Sequence, residues 1–145
     1  MNNKKKKIFS MIIAAFGLIL LVPAVTAMAN TKVNSWSKSL TGGVWTFLNG
    51  KAVEKDTSSS VYLSYEGGGS STDFIKATVY SSHTMSGTFE RITYNGKVTP
   101  IYTIQRGGSQ YMVNYVYETG QKYVKICAQS SNTNTCSGRM QIDLN

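Results

Sequence analysis

Proline, cysteine, histidine and acidic side chains are all scarce here: two, two, one and seven of them among 145 residues. Each scarcity removes a class of explanation. A general base or a triad needs an oriented partner, and the neighbours of the single histidine, Ser82 and Thr84, supply none. His83 therefore reads as a surface side chain beside a loop. No histidine pair and no Asp-x-Asp run offers a metal ligand set. Glu66, Asp73, Glu90 and Glu118 are isolated, and their spacing does not support the carboxylate pair of a glycosidase. Gly67-Gly68-Gly69 is followed by neither a helix nor Lys-Ser/Thr, so it is not a phosphate loop. The expectation is a non-enzymatic protein with no cofactor and no metal. Amphipathic helical periodicity is also missing after Met28, which argues against a helical or α/β domain.

What is present begins with a charged head. Lys4 to Lys7 precede a run from Ile8 to Val22 that is apolar apart from Ser10 and Gly17. Pro23 breaks it, and Ala27-Met28-Ala29 follows. Basic head, short apolar stretch and small-x-small site make the pattern of a secretory signal peptide, cleaved after Ala29. Residues 1–29 are assigned to it, and the mature protein is expected outside the cell. The competing reading is a retained anchor, because the run extended to Met28 nears the roughly 20 residues that span a bilayer. Membrane contact is expected only through that segment if it stays uncleaved. Removing 29 of 145 residues leaves 116, enough for one domain. Four of the fifteen basic side chains leave with Lys4 to Lys7, so the formal charge of +8 falls to +4. The remaining positive charges are scattered, which argues against nucleic acid as a partner. A mild basic balance suits an anionic envelope surface but equally suits plain solubility.

The mature part reads as strands. Residues 30–41 are polar, with Trp36 as the one large apolar feature, and are expected to form a flexible arm. Residues 42–145 are expected to form a single all-β domain. Val44 to Leu48 is a first strand, and Asn49-Gly50 offers a tight turn into Lys51-Ala52-Val53. Val61, Leu63 and Tyr65 share one face of a second strand, with Tyr62 on the other. Ile75, Ala77 and Val79 share a face of a third. Thr84 to Ala128 reads as four strands laid end to end in an antiparallel meander, reversing at Asn95-Gly96, Arg106 to Ser109 and Thr119-Gly120. Pro100 lacks an amide donor, so its strand should be an edge or carry a bulge. The total of about eight or nine strands predicts an antiparallel sandwich or barrel behind an N-terminal signal helix.

Cys127 and Cys136 both fall in the exported part, where two cysteines usually pair. A disulfide closing so short a loop would contribute about 2.5–3 kcal/mol by the chain-entropy argument. Facing cysteines create a conflict, however. They would put Val124 and Ile126 on the face opposite to Met140, Ile142 and Leu144. Either a bulge separates the cysteines from the strand bodies, which is the preferred reading, or the two strands join different partners.

Tyrosine is the notable excess, with nine residues, all in the mature part. Tyr111, Tyr115 and Tyr117 share one strand face with Val113, and Met112, Asn114 and Val116 form the other. The tyrosines are candidate surface-binding residues, since aromatic rings stack on sugars, wall polymers and proteins. Packing is the preferred reading, with Tyr111 and Tyr115 buried alongside Val113, because tyrosine also fits a half-buried strand.

Gly43-Val44-Trp45 and Tyr80-Ser81-Ser82-His83 carry a resemblance to the lactococcin-972-like bacteriocins, a signal peptide followed by a short β-domain rich in Gly, Ser, Tyr and Trp. The Ser-rich strands and Ser137-Gly138 are similar to those of small secreted β-proteins of bacilli and their relatives. The resemblance implies a secreted β-sandwich acting at a bacterial envelope in a bacteriocin-like way. The alternative is an extracellular module that binds a glycan or a protein. Partners are a cell-envelope polymer or protein.

Overall fold

A computed structural model describes residues 33–143. The signal segment with its cleavage site after Ala29, and Leu144 near the chain end, lie outside the described residues. The described chain is all-β and antiparallel, with eleven strands. They are β1 (Asn34–Leu40), β2 (Thr46–Phe47), β3 (Val53–Glu54), β4 (Val61–Ser64), β5 (Phe74–Ser82), β6 (Thr93–Tyr94), β7 (Lys97–Val98), β8 (Tyr102–Gln105), β9 (Ser109–Met112), β10 (Tyr123–Ser130) and β11 (Asn134–Gln141).

A front sheet has the order β1-β11-β4-β9. A back sheet has the order β2-β10-β5-β8, with β3 also paired to β10. The inner faces of both meet in one core. Val61, Leu63, Met112, Cys136 and Met140 come from the front, and Ile75, Ala77, Val79, Ile104, Val124 and Ile126 from the back. The faces read from Val61, Leu63 and Tyr65, and from Ile75, Ala77 and Val79, are the buried ones. Asn95 and Gly96 adopt φ of 48° and 74°, the left-handed pair that a type I′ turn needs, and join β6 to β7.

Strand partners depart from the expected meander. β8 pairs with β5 in the back sheet, whereas β9 pairs with β4 in the front sheet. The turn at 106–108 is therefore an arch between sheets rather than a hairpin. Alternation fixes which face of a strand is buried, but two facing sheets satisfy it as well as one meander. Pro100 lies between β7 and β8, outside any strand. Its carbonyl accepts a hydrogen bond from Thr78 Oγ1 (2.7 Å).

Asn49-Gly50 does not make a hairpin either. β2 and β3 both lie along β10, and the Asn49 side chain fills the gap between them. Its Oδ1 accepts from the Ile126 amide (2.8 Å) and its Nδ2 donates to the Val124 carbonyl (3.2 Å). One carboxamide thus stands in for a missing ladder residue, satisfying two backbone groups of β10.

The segment at 30–41, expected as a flexible arm, contains β1, which pairs with β11 along its whole length. Only Trp36 and Leu40 of β1 are buried, so the strand is mostly serine and lysine at an exposed edge and shows little hydrophobic alternation. Trp36 sits against Gly138, where a side chain would collide with the Ser64 carbonyl and crowd the indole nitrogen. That nitrogen donates to the Ser64 carbonyl (3.2 Å).

The cysteines are unpaired and both buried, contrary to the expected disulfide. β10 and β11 belong to different sheets. On β10 the core positions are Val124, Ile126 and Ala128, so Cys127 points to the outer side of the back sheet. Cys136 instead points into the core from the front sheet. Separate partners, not a bulge, resolve the conflict between Val124–Ile126 and Met140–Ile142: the two sets face each other across the core.

Candidate functional site

The two sheets have outer faces of different character. On the back sheet, the middle of the outer face is covered, while Lys76, Thr103 and Gln105 toward one end stay exposed. Thr78 and Cys127 point outward yet are only 1% and 3% exposed. Part of the cover comes from the chain between β5 and β8. Phe89 packs against Phe47 (centroids 6.3 Å), and Phe47 against Tyr80 (5.6 Å). The Lys125 ammonium lies over both phenylalanine rings, 5.0 Å from Phe47 and 4.7 Å from Phe89. Such a cation between two ring faces is attracted by both. Burial of the Cys127 thiol in this layer pushes its pKa up to about 11.

Among the described residues, the front sheet leaves Tyr111 60% exposed, although Ser64, one row along, is only 3% exposed. Tyr62 of β4 and Tyr111 of β9 are directly opposed, with ring centroids 5.2 Å apart and planes tilted by 53°. Gln141 of β11 faces Tyr62 from the other side. The next row along the strands holds Arg139, Ser64 and Ser109. Arg139 Nε donates to Glu66 Oε1 (2.6 Å), and Ser64 Oγ donates to the same oxygen (2.8 Å). These two bonds hold the Glu66 carboxyl below the usual carboxylate range. β1 adds the serines Ser35 and Ser37 to the same outward side.

The three tyrosines singled out from the sequence separate. Tyr111 is 60% exposed and belongs to the front face. Tyr115 packs against the core and against Tyr94 (5.7 Å). Tyr117 is exposed and lines a cleft of about 320 Å³ with Glu54, Gln121 and Lys122. Burial falls on the opposite parity: Met112 and Val116 are fully buried and Asn114 nearly so. The expected burial of Tyr111 with Val113 is thereby reversed. Asn114 is tolerated inside because its Nδ2 donates to the Ser59 carbonyl (3.1 Å). Tyr62, Gln141 and Arg139 join the face without having been candidate binding residues, and Glu66, weighed from the sequence only as an isolated carboxylate, joins it as the partner of Arg139. A signal was present in β4, where Tyr62 points away from the inward apolar residues Val61 and Leu63.

Two buried polar hubs tie the ends of the sheets together. Lys55 Nζ, beside β3, lies 2.9 Å from Asp143 Oδ1, just past β11, and neither side chain is exposed beyond 1%. Lys55 also donates to Ser59 Oγ (3.1 Å) and the Ile142 carbonyl (3.2 Å), so all three of its protons are used. Thr57 Oγ1 and the Asp56 amide complete the Asp143 carboxylate. In the second hub, Asp73 accepts from the Ser70 amide, Asn132 and Asn134. The backbone bond from Ser70 most of all, and then the bond from Asn132, hold its pKa below the usual range. Beside it, burial pushes the Tyr65 hydroxyl up to about 12. His83 is exposed, and among the described residues no three His, Cys, Asp or Glu side chains converge as a metal would require.

A second groove of about 420 Å³ opens between β1 and the β2–β3 edge, floored by Trp36, Leu48, Val53, Met140 and Ile142. The family described as protein of unknown function (DUF2712) matches residues 23–142. The chain belongs to this family. Comparison with curated proteins and with solved structures gave no match.

Proposed function

We propose that this protein is an exported, non-enzymatic β-sandwich that acts at a bacterial envelope as a binding module. One observation carries the reading: the opposed Tyr62–Tyr111 pair stands on an uncovered sheet face among hydroxyl, amide and guanidinium groups. Aromatic rings with a polar surround suit a partner that offers both apolar faces and hydrogen-bonding groups. The N-terminal export pattern supports an encounter outside the cytoplasm. Sedimentation with purified bacterial cell walls tests it. The mature chain should co-sediment, and Tyr111→Ala should co-sediment less while melting at an almost unchanged temperature. Equal sedimentation of the two proteins would overturn the assignment of this face.

The bacteriocin-like reading is the killing form of the same proposal and rests on Gly43-Val44-Trp45 and the Tyr80 to His83 segment. Growth inhibition of related bacteria by the purified mature chain supports it. Wall binding without inhibition leaves the binding module alone.

A further inference from the structure

We propose that the front face takes an uncharged polysaccharide chain, a proposal that rests on the binding reading above and names its ligand class. Charge is the first argument. The outward positions of β1, β11, β4 and β9 contain a single charged side chain, Arg139, and Glu66 beyond the end of β4 is paired to it. The face is therefore electrically balanced, although the chain as a whole is basic. An anionic wall polymer would find no excess positive potential here, and its attraction elsewhere would be non-specific and screened by salt.

Composition is the second argument. No aliphatic side chain occupies an outward position on these four strands. A protein partner of ordinary size buries roughly 800 Å² a side around desolvated apolar anchors. This face offers two half-open tyrosines and a field of short hydroxyls instead. A sugar ring presents the matching surface, with C–H groups on its faces for stacking and hydroxyls around its rim for Ser109, Gln141 and the guanidinium of Arg139.

Spacing is the third. Strands in a sheet lie about 4.8 Å apart, and the two rings are 5.2 Å apart on neighbouring strands. Successive sugars of an extended chain running across the strands would meet Tyr111 and then Tyr62, with Gln141 next in the row. The 53° tilt makes one ring a platform and the other a wall, so the chain meets stacking on one unit and edge contact on the next.

Binding to chitin, to cellulose and to purified wall teichoic acid, each at low and high salt, tests the proposal. The mature chain should bind at least one of the two uncharged polymers with affinity unchanged by salt. Tyr111→Ala should weaken that binding about tenfold, equivalent to about 1.4 kcal/mol, and Tyr111→Phe should retain most of it. Binding to teichoic acid alone, abolished by salt, would overturn the ligand class while leaving envelope binding in place. Failure to bind both uncharged polymers with intact-wall binding retained does the same. Absence of binding to walls and polymers alike would overturn the underlying reading too.

Discussion

The outer faces of the two sheets start from similar material and end differently. Each carries an aromatic pair in contact: Phe47 and Tyr80 at the back, on the two strands that flank β10, and Tyr62 and Tyr111 at the front, on neighbouring strands. At the back, Phe89 and Lys125 close over the rings, and Pro100 reaches Thr78. At the front, among the described residues, the two tyrosine rings meet each other, and Tyr111 is 60% exposed. Among the described residues, those between β5 and β8 cover the middle of the back face, whereas Tyr111 on the front face stays mostly in water. An aromatic pair the fold has the means to cover but leaves in water is where a partner is to be sought.

Breaking what joins the two sheets gives the largest effect. Lys55 follows the back-sheet strand β3, and Asp143 follows the front-sheet strand β11. Asp143→Ala strands a buried ammonium, which costs about 3–5 kcal/mol. Urea unfolding should show that loss, with front and back faces disappearing in one transition. The double substitution Lys55→Met with Asp143→Leu removes both charges and should cost distinctly less. Equal losses for the single and double variants would mean that packing, not the charge pair, fastens the sheets.

On the back face, Lys125→Ala removes the cation between Phe47 and Phe89. The expected loss is about 1–2 kcal/mol for a partly desolvated cation–π contact. Hydrogen exchange should quicken in residues 86–92, because that segment loses the contact that seats Phe89 on the sheet. Tyr111→Ala on the front face should cost under about 1 kcal/mol, since the ring is mostly in water already. A cost near the 3–5 kcal/mol typical of a buried aromatic would show that the front face is structural after all.

Alkaline pH reads the same contrast without mutation. Cys127 under the back cover and Tyr65 in the core both have raised values, about 11 and about 12, mainly through burial. Each contributes stability that is complete below its unfolded value and lost as pH rises through the folded one. Stability should therefore decline from about pH 8.5, the thiol's ordinary value, toward about 12. In Cys127→Ala the decline should be shallower but begin at the same pH, because burial also raises the Cys136 thiol, which remains.

The faces of β4 and β5 were legible because their inward residues are uniformly apolar. Asn95-Gly96 was legible because only a left-handed pair makes that turn. Partners were not, since the turns at 106–108 and 119–120 look alike in sequence whether they close a hairpin or lie on a path between two sheets. The candidate face failed for a related reason. Asn114 looked like a misfit for the interior, and its bond to Ser59 comes from a loop more than fifty residues away. β1 stayed hidden because an exposed edge strand with two inward residues leaves almost no periodic trace. The cysteine conflict, by contrast, did announce the true topology: two apolar sets of opposite parity, Val124–Ile126 and Met140–Ile142, face each other from different sheets.

The smallest effect on stability, and the sharpest on the contrast between faces, should come from Glu66→Gln. The Glu66–Arg139 pair is open to water, with side chains 43% and 57% exposed, so removing the carboxylate should barely move the melting temperature. Its effect on the face is larger. Arg139 would keep its charge and lose its compensation, turning a balanced surface into a cationic one. Binding to an uncharged polysaccharide should change little, because Tyr62 and Tyr111 are untouched. Binding to teichoic acid should rise and become salt-sensitive, as a newly unpaired guanidinium forks onto phosphate. Acid should mimic the substitution in the native protein. The Glu66 carboxyl sits below its ordinary value, so its pairing persists above that value and is lost as pH falls through the lowered one. If Glu66→Gln instead abolished binding to the uncharged polymer, the carboxylate itself would be a ligand group, and charge balance would not be what selects the partner.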